Sequence, residues 1–405
     1  MRRARQDLPR NATGSAVEIL RASLQLGLTS FGGPIAHLGY FNREYVQKRH
    51  WLNAQEFAAL VSLCQLLPGP TSSQVGFLIG MRRAGIFGGL AAWVGFTLPS
   101  AFLMYVFAIW APHAPGPLMQ AVLHGLMLTA VVVVSQAVWS MARSLCPDWR
   151  RAIIALSIGA MLVLHSNGVL QLAALGAGAV AGAFLCRNVG HAGIELPAVT
   201  DHRMAWIALA VFCVLLIALP ALGALSTHGP TALVNIFYRA GALVFGGGHV
   251  VLPLLQNALV PGRWISNDGF LAGYGFAQAM PGPLFTFAAY LGAASAPAHA
   301  SLPWAVLALC AIFLPGLLLS FVGLSLWSQL ARIPAAFAML AGINAAVVGL
   351  LGAALYNPIA VTAIHSGVDV GVVIIGVVLL QWLRVPPIVV AALCVAASLV
   401  TRWAV

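Results

Sequence analysis

Stretches of about 20 apolar residues recur from residue 16 to residue 403, and they leave the chain little choice of fold. In lipid every backbone N–H and C=O must be bonded within the protein, so only helices and closed barrels span a membrane. Barrel strands read as roughly 10-residue segments of alternating polarity. These runs are continuously apolar and long enough for a helix to cross about 30 Å of hydrocarbon. With 61% hydrophobic and 7% charged residues, against about a quarter charged in a soluble globule, the sequence predicts an all-α polytopic membrane protein.

The expected spans are 16 to 40, 56 to 80, 86 to 110, 117 to 142, 152 to 166, 168 to 186, 204 to 225, 231 to 256, 268 to 296, 303 to 329, 334 to 356, 369 to 383 and 386 to 403. That gives about 13 transmembrane spans, with short members in 152–186 and 369–403 that read either as tilted hairpins or as full crossings. The organisation expected is a basic cytoplasmic tail over 1–15 without a cleavable signal pattern, a transmembrane repeat over 16–186, a connector over 187–230 holding an extra span, and a second repeat over 231–405.

The division into repeats rests on two copies of one motif. Phe31-Gly32-Gly33-Pro34 is followed by Trp51, Phe57 and Gln65-Leu66-Leu67-Pro68-Gly69-Pro70. Phe245-Gly246-Gly247-Gly248 is followed by Trp264, Phe270 and Gln278-Ala279-Met280-Pro281-Gly282-Pro283. From Phe31 to Phe245 the offset is 245 − 31 = 214, and every later landmark keeps the offset 264 − 51 = 213, a register that chance does not hold.

The net charge of +11 suits membrane topology better than nucleic acid, because most arginines stand in short loops between apolar runs. With a cytoplasmic N-terminus, Arg82, Arg83, Arg143, Arg150, Arg151, Arg187, Arg203, Arg263, Arg332 and Arg384 fall in inside loops, as the positive-inside rule requires. Arg43, Lys48 and Arg49 do not. Either the first span fails to cross, or that loop has another task. The unmatched span at 204–225 makes the count before the second repeat odd, so the repeats are expected to be inverted, an architecture of transporters with a site at the repeat interface.

Gly-Gly-Pro and Pro-Gly-Pro within apolar segments break helices, because Pro removes a donor and Gly frees the backbone. Exposed backbone at membrane depth is tolerated only against protein or a watery cavity. The bland alternative is that these residues kink helices and let them pack closely. Four breaks in register favour a binding site instead, formed by Gly32, Gly33, Pro34, Pro68, Gly69, Pro70, Gly246, Gly247, Gly248, Pro281, Gly282 and Pro283. Thr71, Ser72 and Ser73 reopen the helix in the first copy with free N–H groups and three hydroxyls, which suits an anion. Their counterparts Leu284, Phe285 and Thr286 keep one hydroxyl, so the first copy is expected to supply more of the polar lining.

Arg21 and Arg239 lie within spans, where ionisable groups are functional by default, and either could neutralise an oxyanion. The alternative for both is snorkelling to an interface. Glu56 and Asp268 read first as helix-capping acids beside Asn53 and Ser266 and second as proton-coupling candidates. His37 and His249, beside the Gly-Gly motifs, are the other proton-coupling candidates, with a plain hydrogen-bonded histidine as the alternative. Cys64, Cys146, Cys186, Cys213, Cys310 and Cys394 are scattered and read as small hydrophobes. No nucleotide loop, hydrolase triad or cluster for a metal appears, so neither a cofactor nor a metal is expected, and neither is an enzyme.

Leu28-Thr29-Ser30-Phe31-Gly32-Gly33-Pro34, His37 with Gly39-Tyr40-Phe41, Leu67-Pro68-Gly69-Pro70-Thr71 and Phe245-Gly246-Gly247-Gly248-His249 strongly resemble the chromate ion transporter family in its long, two-domain form. The resemblance implies chromate efflux across a bacterial inner membrane and chromate resistance, with sulfate as a similar competitor. Potential-assisted export, with proton antiport as a further element, is the mechanism expected. The partners are then chromate, sulfate, the lipid bilayer and a second copy in a homodimer, with no nucleic acid. Two other readings stay open: a transporter or channel for sulfate or another anion, and a membrane scaffold that transports nothing.

Overall fold

The computed structural model describes residues 14–111, 116–165, 168–186, 202–224, 228–245, 248–297, 299–330 and 334–403. These are helical throughout, with no strand among the described residues. In the first copy the helices are α1 (Ala16–Thr29), α2 (Gly33–Phe41), which continues as a π-helix over Asn42–Lys48, α3 (Ala54–Leu66), α4 (Thr71–Trp110), α5 (Pro117–Leu145), α6 (Trp149–Leu164) and α7 (Gly168–Leu185). α8 (His202–Ala224) links the copies. The second copy has α9 (Pro230–Leu243), α10 (Val251–Leu259), α11 (Asn267–Ala279), α12 (Phe287–Ala294), α13 (Ser301–Leu330), α14 (Pro334–Ala354), α15 (Val361–Ala363), α16 (Gly367–Gln381) and α17 (Pro387–Trp403).

Five helices are long and apolar enough to cross a membrane: 71–110, 117–145, 203–224, 301–325 and 335–363. Four shorter apolar helices, 169–185, 284–294, 367–381 and 387–401, accompany them. α8, which has no counterpart, turns Trp206, Ile207, Val214 and Ile217 outward, as a helix facing lipid does. The duplication is visible in the helix bounds: α1 and α9 open at Ala16 and Pro230, and α3 and α11 at Ala54 and Asn267, the same offsets as the motifs.

The segments expected as the first two spans bring their two ends back together. Glu18 near the start of α1 lies 3.9 Å from Arg49 beyond the end of the π-helix, so residues 16–49 go in and come back. Glu56 at the start of α3 meets Arg82 at 2.7 Å, so 54–83 does the same. Arg83 closes on Glu18 at 3.8 Å, and Glu44 takes Arg49 at 2.6 Å and Lys48 at 3.1 Å. The Arg49 and Arg83 guanidinium carbons each lie 5.3 Å from the Trp51 ring. Lys48 and Arg49 therefore share a face with Arg82 and Arg83. Each part-exposed pair contributes only about 0–1 kcal/mol, and it is their convergence on one tryptophan that ties the hairpin ends together.

The second copy repeats the hairpins without the ionic cluster, Arg263 and Asp268 being the charged residues near their ends. His228 before α9 bonds the Gly262 carbonyl at 3.0 Å, and Tyr290 on α12 donates to the Gly269 carbonyl at 2.9 Å. The counterparts of Glu44, Arg49, Glu56, Arg82 and Arg83 are Asn257, Gly262, Gly269, Ser295 and Ala296. These ends meet another part of the molecule, where Asn267 donates to Thr362 at 2.6 Å and the Ala363 carbonyl lies 3.1 Å from His124 on α5.

α4 changes direction at Ala84 and Gly85, which leave helical geometry (φ −145° and 64°), and runs on to Trp110. The core exchanges partners between copies. α5 packs on α16 and α17 of the second copy, and α14 packs on α6 and α7 of the first.

Candidate functional site

Each hairpin reverses at a break. α1 ends on Ser30, whose N–H still reaches the Leu26 carbonyl at 2.8 Å. Gly32 and Gly33 follow with φ of +99° and +82°, a region that side chains with a Cβ rarely enter, and Pro34 stands in the first turn of α2. At the second break Gly69 has φ +120°, and in the other copy Gly282 has φ +96°. Gly246 and Gly247 lie outside the described residues. Gly248 opens a 3₁₀ turn leading into α10.

The tips bond each other across the copies. Gly69 N–H donates to the Val244 carbonyl at 2.7 Å, and Gly282 N–H donates to the Ser30 carbonyl at 2.9 Å; Val244 and Ser30 are themselves counterparts, each just before its Phe-Gly-Gly motif. A Cβ at Gly69 would stand 2.8 Å from the Cα of Gly316 on α13, and one at Gly282 would stand 2.7 Å from Ser100 Oγ on α4. Pro99-Ser100 and Pro315-Gly316 hold equivalent places within the long helices α4 and α13. The contacts are reciprocal, which is the pattern of a pseudo-two-fold. Gln74 strengthens one side only: its Nε2 donates to the Pro68 and Gly316 carbonyls, both at 2.9 Å.

Around these tips the first copy gathers buried polar groups. Ser30, His37, Ser72, Ser73, Thr97 and Ser100 are each at most 3% exposed. His37 Nδ1 lies 3.3 Å from Ser72 Oγ, and its ring stands edge-on to Phe96 at 5.3 Å. Ser30 Oγ, His37 Nε2, Ser73 Oγ and Thr97 Oγ1 have no hydrogen-bond partner. Buried side-chain polar atoms are paired in the large majority of cases, so these four leave bonding capacity unfilled beside the breaks, as do Gln74 Oε1 in this copy and Gln278 Nε2 in the other.

The second copy is quieter. Thr286, counterpart of Ser73, donates to the Pro283 carbonyl at 2.8 Å and so satisfies its own loop. His249 Nδ1 bonds the Tyr274 hydroxyl at 2.8 Å. Leu284 and Phe285 are buried where Thr71 and Ser72 stand in the first copy.

Among the charged candidates, Arg239 is half-buried on the wall of a cavity of about 490 Å³ that is otherwise apolar and reaches Phe245. No acid pairs with it among the described residues. Arg21 is exposed on α1, nine residues or roughly 13 Å below the break at 1.5 Å per residue, and the structure does not bring it to the tips. Glu56 forms a capping box with Asn53 and pairs with Arg82, at the far end of α3 from its break. Ser266 caps α11 through the Gly269 N–H at 3.2 Å, while Asp268 is exposed in the first turn. Thr97 and Ser100 escaped sequence reasoning because they sit in a continuous apolar run; the matched prolines Pro99 and Pro315 were the available signal. All six cysteines are free.

The family model described as chromate transporter matches residues 17–183 and 231–399. The chain is 28% identical over 355 residues to the chromate transport protein of Pseudomonas aeruginosa, covering 84% of this chain and 80% of that protein. It is 28% identical over 363 residues to the chromate transport protein of Cupriavidus metallidurans, with 88% and 84% covered. It is 27% identical over 348 residues to a probable chromate transport protein of Synechococcus elongatus, with 84% of each covered. No solved structure matches the chain.

Proposed function

The chain belongs to the chromate transporter family, and from that premise we propose that it exports chromate across the bacterial inner membrane past the buried polar groups gathered at the reciprocal breaks. The observation that carries this reading is the set of orphaned donors and acceptors on Ser30, His37, Ser73 and Thr97. Hydroxyls and the half-helix N-termini of α2 and α4 offer a tetrahedral dianion neutral donors and partial positive charge. Arg239, in the cavity reaching Phe245, supplies a full charge on the approach from the second copy. Sulfate presents the same shape and charge and competes.

The topology proposed has nine crossings and four re-entrant hairpins, with the hairpins of the first copy entering from the cytoplasm and those of the second from outside. Support comes from the charge at the hairpin ends: the cluster around Trp51 against neutral counterparts beside Thr362 and His124. The loop holding Arg43, Lys48 and Arg49 then obeys the positive-inside rule, and Arg263 becomes the exception among the connectors. The copies are inverted, and substrate is exposed alternately as they rock about the tips.

Export is downhill electrically. At ~150 mV, inside negative, a leaving dianion gains roughly 7 kcal/mol from about 2.3 kcal/mol per charge per 100 mV. The test is flux of labelled chromate in liposomes holding purified protein, with potential, pH gradient and sulfate varied separately. Ser73→Ala and Arg239→Gln are expected to lower flux while Thr286→Val leaves it near wild type. Equal effects at Ser73 and Thr286 would remove the first copy's polar groups from the mechanism, equal flux with and without a potential would remove the driving force, and no flux from any preparation would favour the scaffold reading.

A further inference from the structure

Far from the breaks, three side chains from both copies converge. His124 lies in the second turn of α5. Beside it Gly125 approaches the α17 backbone so closely that a Cβ there would collide with Val395, and this contact brings His124 Nδ1 to 3.0 Å from Ser398 Oγ. Asp369 caps α16: its Oδ2 accepts from the N–H groups of His365 and Ser366, both at 2.9 Å. Its other oxygen, Oδ1, faces His124 Nε2 at 3.6 Å, beyond hydrogen-bond length. The ring of His365 stands 5.5 Å from that of His124. One ligand atom from each of the three residues lies within 4.8 Å of the others.

We propose that His124, His365 and Asp369 bind one divalent cation of the zinc class, bridging α5 of the first copy to the start of α16 in the second. Two imidazoles and a carboxylate oxygen are the donor set such ions take, with water in the fourth position. Bonds of about 2.0–2.2 Å put tetrahedral ligands roughly 3.3 Å apart, so the trio must close by about an ångström or more. His365 is exposed and free to swing, while the other two are held. Ligating histidines and carboxylates are typically fixed by outer hydrogen bonds, and here Ser398 and two backbone amides already hold His124 and Asp369. The Ser398 hydroxyl can accept from Nδ1–H, and Nε2, now 3.1 Å from the Ala363 carbonyl, gives up that contact to turn its lone pair to the metal.

Zinc titration of the purified full-length protein by calorimetry tests this, after its thiols have been alkylated, because the exposed Cys213 and Cys310 are competing ligands. The expected result is one zinc per chain, with affinity at least about ten-fold lower in His365→Ala and His124→Ala, and reduced roughly 10–100-fold in Ser398→Ala, the usual range for an outer partner. His365→Ala alters an exposed turn and keeps the protein folded even where a buried variant does not. Zinc should raise the thermal midpoint of the wild type and leave that of His365→Ala unmoved. Cobalt in place of zinc should give the visible bands of a tetrahedral site without thiolate charge transfer. Absence of saturable binding, or binding undiminished in His365→Ala, would overturn the proposal.

Discussion

Replacing Gly69 by Ala tests the reciprocal tips most directly, and its magnitude can be assembled from three parts. The φ of +120° is strained for any residue with a Cβ, at about 1–3 kcal/mol. The new methyl would stand 2.8 Å from Gly316 Cα and 2.9 Å from Gln74 Nε2. The first of these is backbone and cannot swing aside, so overpacking adds about 1–3 kcal/mol. If the tip retreats from α13 to relieve the clash, its 2.7 Å bond to Val244 is lost as well, at about 0.5–1.5 kcal/mol. The sum is a loss of about 2.5–7.5 kcal/mol. Two controls separate the parts. Gly33 has φ +82° with nothing within 4 Å of its would-be Cβ, so Gly33→Ala meets only the backbone strain, about 1–3 kcal/mol. Gly39, within α2, has ordinary φ and open space, and Gly39→Ala should be neutral or stabilising by about 0.5–1 kcal/mol. Unfolding midpoints of the three purified variants in one detergent decide the order. Gly69→Ala indistinguishable from Gly33→Ala refutes the packing argument, and Gly69→Ala as stable as Gly39→Ala refutes the tip geometry altogether.

Gln74→Leu leaves the Pro68 and Gly316 carbonyls without their shared donor and should lower stability by about 1–3 kcal/mol, read as a drop in the same midpoint. In a background with Cys213 and Cys310 changed to Ser, Arg43→Cys should react with an impermeant thiol reagent only from the cytoplasmic side and Arg263→Cys only from outside; labelling of both from one side would refute the inverted arrangement. Burial alone would push the Glu44 carboxyl up, but hydrogen bonds from Arg49 and Lys48, together with their charges, hold it below the usual carboxylate range. A carboxyl depressed in the folded state stabilises above its ordinary pKa of 4.5 and ceases to do so as pH falls through the folded value. Glu44→Gln should therefore flatten the acid limb of midpoint against pH, and an unchanged acid limb would show that the cluster around Trp51 contributes nothing.

What was readable beforehand was local or periodic. Glycines and prolines at a fixed offset announced the breaks, Asn53 with Glu56 announced a capping box that is present, and Ser266 announced a second cap. The return of the hairpins was not readable from hydropathy, because two half-helices folded back on each other contain as many apolar residues as one full span. On the proposed topology, Arg43, Lys48 and Arg49 carried the missing signal as the loop that broke the charge rule. Cross-copy geometry was hidden for another reason: Gly69 with Val244, or His124 with His365, are partners only once both copies are packed, and nothing in either local sequence points to the other. Arg21 and Arg239 look alike in sequence, each a lone cation in an apolar run, yet one faces outward and the other a cavity. The difference is helix rotation, set by which neighbour each face packs against.

The bonds between the tips also set an order in time. While the first copy is being synthesised, the Gly69 N–H has no acceptor, because Val244 belongs to the second copy and is made much later; the Ser30 carbonyl waits longer still, for Gly282. A first half alone lacks both the Val244 acceptor and the Gly282 donor that its tips bond in the whole chain. Each half acts as the other's last folding step, so halves translated from separate messages and meeting in one membrane would be drawn into the same pairing as the fused chain.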